Sequence, residues 1–488
     1  MNTFKRKSLY AALAGVSALG VTGAAQAVNL NPDGLGQVLI YPYYTTRTDI
    51  GGNAYTSLLS VVNTTSSAKA VKVRFLEGKN SREVLDFNLF LSKHDVWTAA
   101  IFASGTGAAV GTLDKSCTLP PIPLGGQPFV NFAYTGSNSD KGGTSLDRTK
   151  EGYVEIIEMA TFTTSSTTSQ IVTHVGGVPG QNGYVCDDLT DSQAASDAFG
   201  VQGGIFGGMT LINVNAGTDF TEDAVALDNY VQFGAQIYNP AGSILPDLQQ
   251  ALPPVSQVVT GGSVFTSSWT AGTADPVSAV LMHSNVMNEF VLDRGTKSGT
   301  DWVVTFPTKR YYVNVGTGNA PKLFQRNFNQ TDGSCDDVSL NIYDREERTT
   351  STPVGFSPPP PTQTNSICWE ANVVTFNNSN VLNSNNVANI PTTFEDGWLN
   401  MGFPTGITGA LASVHELINT TNTLITSIGG STSSGNTVTY IGLPVVGFAV
   451  QTFSNGVLLL PVPGQTALGN VLSNYGGNFV HKYQTNID

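Results

Sequence analysis

Histidine is the first residue type to test for chemistry, and the five histidines, at 94, 174, 283, 415 and 481, form no H-x-H pair. "HELIN", His415 to Asn419, approaches the H-E-x-x-H pattern of a zinc helix. Asn419 stands where the second imidazole is needed, and two imidazoles one helical turn apart are what hold the metal. A His and a Glu on a helix surface account for that stretch. No G-x-S-x-G signals a nucleophile elbow. A Ser–His–Asp triad from distant residues is left open, because triads assemble in space. His94 and Asp95 are strand neighbours that point to opposite faces, so they are not a dyad; Asp95 is expected to end a turn and Trp97 to anchor a core. Glycoside hydrolysis needs two acids facing across a cleft. Glu155 and Glu158 are three apart on an expected strand, hence on opposite faces, and nothing in the sequence selects a distant partner for either.

Calcium is the fairer metal. Asp187, Asp188, Asp191 and Asp197 gather in "CDDLTDSQAASD", and Asp332, Asp336 and Asp337 gather in "TDGSCDD". Hard oxygen ligands clustered in loops suit calcium outside the cell, although neither stretch fits an EF-hand loop. Solvated loop acids or helix N-caps are the competing reading. Tyr41, Tyr43, Tyr44, Tyr311 and Tyr312 are candidates for stacking on sugars, against packing in an aromatic core.

These residues belong to a chain with the marks of export. Lys5, Arg6 and Lys7 precede the apolar "LYAALAGVSALGVTGA", and "AQA" ends at Ala27, so residues 1–27 read as a signal peptide cut before Val28. No later apolar run is long enough to span a bilayer as a helix. The formal charge of −13 becomes −16 after that cut, which argues against nucleic acid or an anionic membrane as partner. Charged residues make up 12% of the chain, about half the usual share, and Gly, Ser, Thr and Asn fill the gap. Cys117, Cys186, Cys335 and Cys368 are too far apart for a zinc knuckle and imply two disulfides, with three pairings open. The sequential pairing, Cys117–Cys186 and Cys335–Cys368, would staple one loop-rich stretch in each half.

The elements that must position these groups are mostly strands. "KAVKVRFLEG" places Val71, Val73 and Phe75 on one face and Lys72 and Arg74 on the other; "VLDFNLFLS" alternates likewise. "TSLLSVVN" is apolar on both faces, and "DVWTAAIF", "FVNFAY", "GYVEIIEMATF", "GIFGGMTLINVN", "NYVQFGAQIY", "SAVLMHS", "DWVVTFPTKRYYVNV", "ANVVTFN" and "YIGLPVVGFAVQTFSNG" also read as strands. Short helices are expected in "DLTDSQAASDAF", "TEDAVALD" and "GALASVHELINTT", and an exposed polyproline segment at Pro358–Pro361. The fold class is all-β with a few short helices, built of antiparallel immunoglobulin-like β-sandwiches. The expected division is a signal peptide over 1–27, an immunoglobulin-like sandwich over 28–115, a β-rich middle with short helices over 116–275, and a β-rich region over 276–488.

The stretches "GQVLIYPYYTTR", "LSVVNTTSSAKAVKVRFLEGKNSREVLDFNLFLSKHDVWTA", "TKEGYVEIIEM", "TDWVVTFPTKRYYV", "CWEANVVTF" and "GLPVVGFAVQTF" cover much of the chain. On them it resembles a group of uncharacterised exported proteobacterial proteins. The resemblance implies a secreted β-rich protein and transfers no active site. The N-terminal strands are similar in pattern to immunoglobulin-like modules of surface and fibre proteins.

The function expected is that of a non-enzymatic extracellular structural or adhesive protein, a cell-surface, matrix or fibre component. The alternative is a secreted protein that binds or degrades polysaccharide. An outer-membrane barrel fits poorly, since the apolar strands alternate too irregularly for a lipid-facing band. Pro42 demotes "QVLIYPYY" to a sheet edge. Val38, Leu39, Ile40, Tyr41 and Tyr43 are therefore the candidates for strand exchange in self-assembly; a surface glycan is the other expected partner.

Overall fold

The structure is a computed structural model, and it describes residues 26–48, 52–314, 323–329, 333–349, 365–406, 414–425, 432–435, 437–461 and 468–488. Residues 1–25 of the expected signal peptide, the expected polyproline segment at 358–361 and Asp332 lie outside the described residues. The chain is all-β. Its strands form antiparallel sheets with one parallel pair, Ala371–Phe376 beside Val387–Ile390. No helix of the described residues is long and apolar enough to cross a membrane.

Two sheets pack face to face in the first half. One has seven strands in the spatial order Asn29–Leu30, Val225–Asp228, Val38–Thr45, Glu151–Phe162, Ala68–Glu77, Glu83–Leu91, Thr118–Leu119. The other has six, in the order Thr218–Asp223, Ile205–Asn213, Thr56–Asn63, Val96–Ser104, Gly107–Gly111, Gln127–Pro128. Period-two alternation sends Val71, Val73, Phe75, Val154 and Ile156 of the first against Leu59, Val61, Trp97, Ile101 and Leu211 of the second. Trp97 anchors this core, and Asp95 accepts the Ser92 N–H across its turn, as the sequence suggests. Strands from residues 29 to 228 complete these sheets, so a boundary at 115 runs through both.

The second half adds two five-stranded sheets. Trp302, Val304 and Phe376 of one meet Phe290, Leu399 and Met401 of the other. The alternate residues Val303, Val373, Phe448 and Val450 face the first core. The Gly299–Thr305 strand is thus buried on both faces, which joins the two halves through shared hydrophobic packing.

Several elements differ from expectation. "QVLIYPYY" is not an edge strand. Val38–Thr45 lies between Val225–Asp228 and Glu151–Phe162, and Val38, Leu39, Ile40, Tyr41 and Tyr43 are completely buried. Pro42 is tolerated because Val225–Asp228 ends opposite Ile40, and because the register with Glu151–Phe162 shifts between Gly152 and Val154. Ala68–Glu77 is not half-buried either; Lys69, Lys72 and Arg74 lie inside. "SAVLMHS" is mostly helix, Asp275–Leu281, started by the Asp-Pro at its N-terminus. "TEDAVALD" forms strands, because Val225–Asp228 fills the place beside Val38–Ile40. "HELIN" is also extended: Glu416–Asn419 pairs with Val438–Ile441. "FVNFAY" and "NYVQFGAQIY" are irregular, with a short 3-10 turn at Phe132–Tyr134. The helix Asp191–Asp197 forms as expected, with Thr190 as its cap.

Both disulfides adopt the sequential pairing, Cys117–Cys186 and Cys335–Cys368, as suits an oxidising, exported environment. They close loops with sequence separations of 69 and 33 residues. By loop entropy each contributes about 4 kcal/mol. The variant Cys117→Ser/Cys186→Ser is expected to lose roughly that much in urea unfolding at pH 7. A midpoint unchanged from the parent protein would contradict this.

Candidate functional site

The outer face of the six-stranded sheet carries an open trough of about 710 Å³. Alternation builds it. Leu59, Val61, Trp97, Ile101, Met209 and Leu211 point into the core, while Leu58, Ser60, Thr98, Phe102, Phe206 and Thr210 face the trough. Gly207 lets the strand pass close to its neighbour. The Tyr41 phenol donates to Ser60 O at 2.8 Å, and a Cβ at Gly207 would sit 2.3 Å from that phenol oxygen. Thr210 and Thr221 share a hydroxyl bond of 2.9 Å on the floor. Leu58 and Phe206 are each about 40% exposed, and beside the trough Leu113 and Leu124 stand nearly free. Asp223 is the single ionisable residue of the lining, which holds no histidine, cysteine or base.

Several acids and bases pair in buried clusters outside the trough. Glu158 accepts from Lys69 Nζ at 2.7 Å and from Gly203 N at 2.7 Å; both partners of the ion pair are buried. Burial raises the Glu158 carboxyl, against the pull of Lys69. Glu155 holds Arg74 Nη1 at 2.6 Å, and burial brings its carboxyl up to about 7. The two acids do not face each other across a cleft. Arg148 joins Glu77 and Asp140, with its guanidinium over the Tyr134 ring. Hydrogen bonds from Arg148 and Asn80 overcome the cost of burial and hold Asp140 at about 2.

One further cluster ties the halves together, and another lies within the second half. Glu151 accepts from Arg47 Nε, the Tyr43 hydroxyl, Ser384 Oγ and Asn385 N, all within 3.0 Å. Asp336 binds Lys309 Nζ at 2.9 Å, Gln325 N at 2.7 Å and His415 Nε2 at 3.3 Å. Glu370, also buried, finds no hydrogen-bond partner for either carboxyl oxygen among the described residues. Burial pushes it up to about 8 despite Lys309.

One Ser–His–Asp grouping exists. Ser92 Oγ lies 3.3 Å from His174 Nδ1, and Asp95 Oδ2 lies 3.7 Å from that same nitrogen. A relay needs serine and carboxylate on opposite ring nitrogens, so this arrangement does not pass a proton along. His481 is buried and His283 half-buried, and desolvation lowers both to about 4.

The aspartates proposed for calcium are dispersed. Asp188 accepts from Val185 N, Asp191 from the Tyr238 hydroxyl and Ala241 N, and Asp337 from the Gln325 amide. Asp187 is exposed and Asp336 serves Lys309. No three metal-ligating side chains converge among the described residues. Tyr41, Tyr43 and Tyr44 are core residues, while Tyr311 and Tyr312 are half-buried. Sequence reasoning missed the trough. Its signal was the second apolar face of "TSLLSVVN", where Leu58 has no covering layer.

Fold and site together define an all-β protein of stacked antiparallel sheets with two disulfides and, among the described residues, an open, largely apolar sheet face. Searches against family models, curated proteins and solved structures find no match.

Proposed function

We propose that this chain is a non-enzymatic extracellular structural or adhesive protein, a cell-surface, matrix or fibre component built of immunoglobulin-like sandwiches. The observation that carries the reading is the trough: a broad apolar sheet face, open to solvent, whose lining offers one carboxylate and no histidine, cysteine, lysine or arginine. Large exposed apolar faces mark interaction surfaces. Residues 1–27 act as the export signal in this reading, and the Val28 N–H, which donates to Val255 O at 2.8 Å, keeps its acceptor after the cut. A second reading, binding of a neutral glycan, is favoured by Phe102 and Phe206 beside the Ser60, Thr98 and Thr210 hydroxyls.

Incubation of the purified protein with a panel of bacterial and plant polysaccharides tests both. The structural reading expects no new reducing ends with any of them. Release of oligosaccharides that persists in repurified protein would overturn it. Retention on a neutral glycan column, lost in Phe206→Ala, would select the second reading.

A further inference from the structure

The strands Val446–Pro461 and Leu468–Val480 form a long hairpin whose outer part departs from the sheet. Gly299–Thr305 pairs with Val446–Pro461 only as far as Thr452. From Val457 to Pro461 the pairing partner among the described residues is the returning strand alone, Val457 with Leu472 through Pro461 with Leu468. A register shift between Ser454 and Val457 marks where the ribbon leaves. Residues 455–474 contain five leucines, three valines and no charged residue. A two-stranded ribbon is marginal by itself, and its sequence offers none of the charges that normally protect strand edges.

The same molecule carries an apolar trough of matching chemistry and size. The five residue pairs of the ribbon span about 17 Å, and the trough crosses five strands, about 19 Å. Its lining runs from Thr221 through Phe206 and Ser60 to Thr98 and Gly111. The chain has a formal charge of −13, so two copies repel unless they meet through uncharged surfaces. The ribbon carries no acid and the trough only Asp223. Resting on the structural reading above, we propose that the trough receives the paired strands Val457–Pro461 and Leu468–Leu472 of a second copy. The contact is heterologous, ribbon to trough, and repeats head to tail into an open filament or closes into a ring.

Complementation between two defective variants tests this. Leu458→Glu/Leu460→Glu spoils the ribbon, and Leu58→Glu/Phe206→Glu spoils the trough at exposed positions. By light scattering the wild type is expected to exceed monomer mass, each variant to remain monomeric, and their equimolar mixture to reach twice the monomer mass and no more. Circular dichroism checks that each variant folds. If one does not, mixing a Thr98→Cys copy with a Leu459→Cys copy replaces it: a disulfide-linked dimer is expected from the mixture and from neither alone. A wild type that stays monomeric, or a mixture that does, overturns the proposal, as does absence of the cysteine crosslink. A monomeric wild type that binds phosphatidylcholine vesicles through the ribbon overturns it in favour of a lipid surface. Assembly through another surface would leave the structural reading intact, whereas polysaccharide cleavage would defeat that reading without touching the ribbon contact.

Discussion

Glu370→Gln flattens the loss of stability that the protein shows between mildly acid and alkaline pH. The carboxyl is buried, both its oxygens lack hydrogen-bond partners among the described residues, and it titrates near 8. An unfolded glutamate titrates near 4.5. The folded state therefore binds a proton that the unfolded state has released. Stability from this group is fully present below about 4.5 and falls as pH rises through about 8. The loss is on the order of 4 kcal/mol by pH 9. Glu155, brought up to about 7, adds in the same direction. Glutamine cannot ionise, so urea unfolding of the variant at pH 5 and pH 9 is expected to differ by several kcal/mol less than in the wild type. The slope is the readout, because the amide changes the absolute stability at every pH. Parallel pH profiles for the two proteins would show that Glu370 does not titrate in the interior.

Arg148→Met is expected to be the most damaging single change outside the hydrophobic core. Arg148 bonds Glu77 through Nε and Nη2, reaches Asp140 through Nη1 and Nη2, and lies over Tyr134. Its removal leaves Glu77 inside without that cation and Asp140 with Arg82, at 3.6 Å, in its place. Breaking a buried pair in this way costs about 3–5 kcal/mol. The Asp140 carboxyl then loses the bonds that hold it low and burial raises it, and a raised carboxyl destabilises increasingly as pH rises. The deficit measured by thermal unfolding should accordingly shrink from pH 7.5 to pH 4.5. A variant that unfolds with the wild type at both values would place this cluster among the pairs that contribute nothing net.

How far the sequence reveals this arrangement depends on what alternation can report. Val71, Val73 and Phe75 announce a strand and its core face correctly. Lys72 and Arg74 announce solvent and are instead buried, because their partners Asp86, Glu83 and Glu155 arrive from other strands that no local pattern connects. Glu151 is similarly opaque: its contact with Ser384 spans 233 residues. The cysteine count and spacing carry over directly, since loop closure needs no knowledge of the sheets. Pro42 misleads because a proline rule identifies a missing N–H but not where the neighbouring strand ends. The trough was legible only as an excess, the outward Leu58 of "TSLLSVVN" and Phe206 of "GIFGGMTL". An apolar residue facing outward reads the same in sequence whether a second sheet or solvent covers it. The acidic "TEDAVALD" mimics a helix start, and its pairing with a strand nearly two hundred residues earlier decides otherwise.

On the proposed reading, an open and largely apolar sheet face makes this protein an associating component rather than a catalyst. Weight-average mass by light scattering, followed as purified protein is concentrated at moderate salt, tests it most directly. The account predicts a mass that climbs with concentration and a slope that disappears in Leu58→Glu/Phe206→Glu. A mass that remains at one chain throughout, with the variant indistinguishable from the wild type, would contradict it.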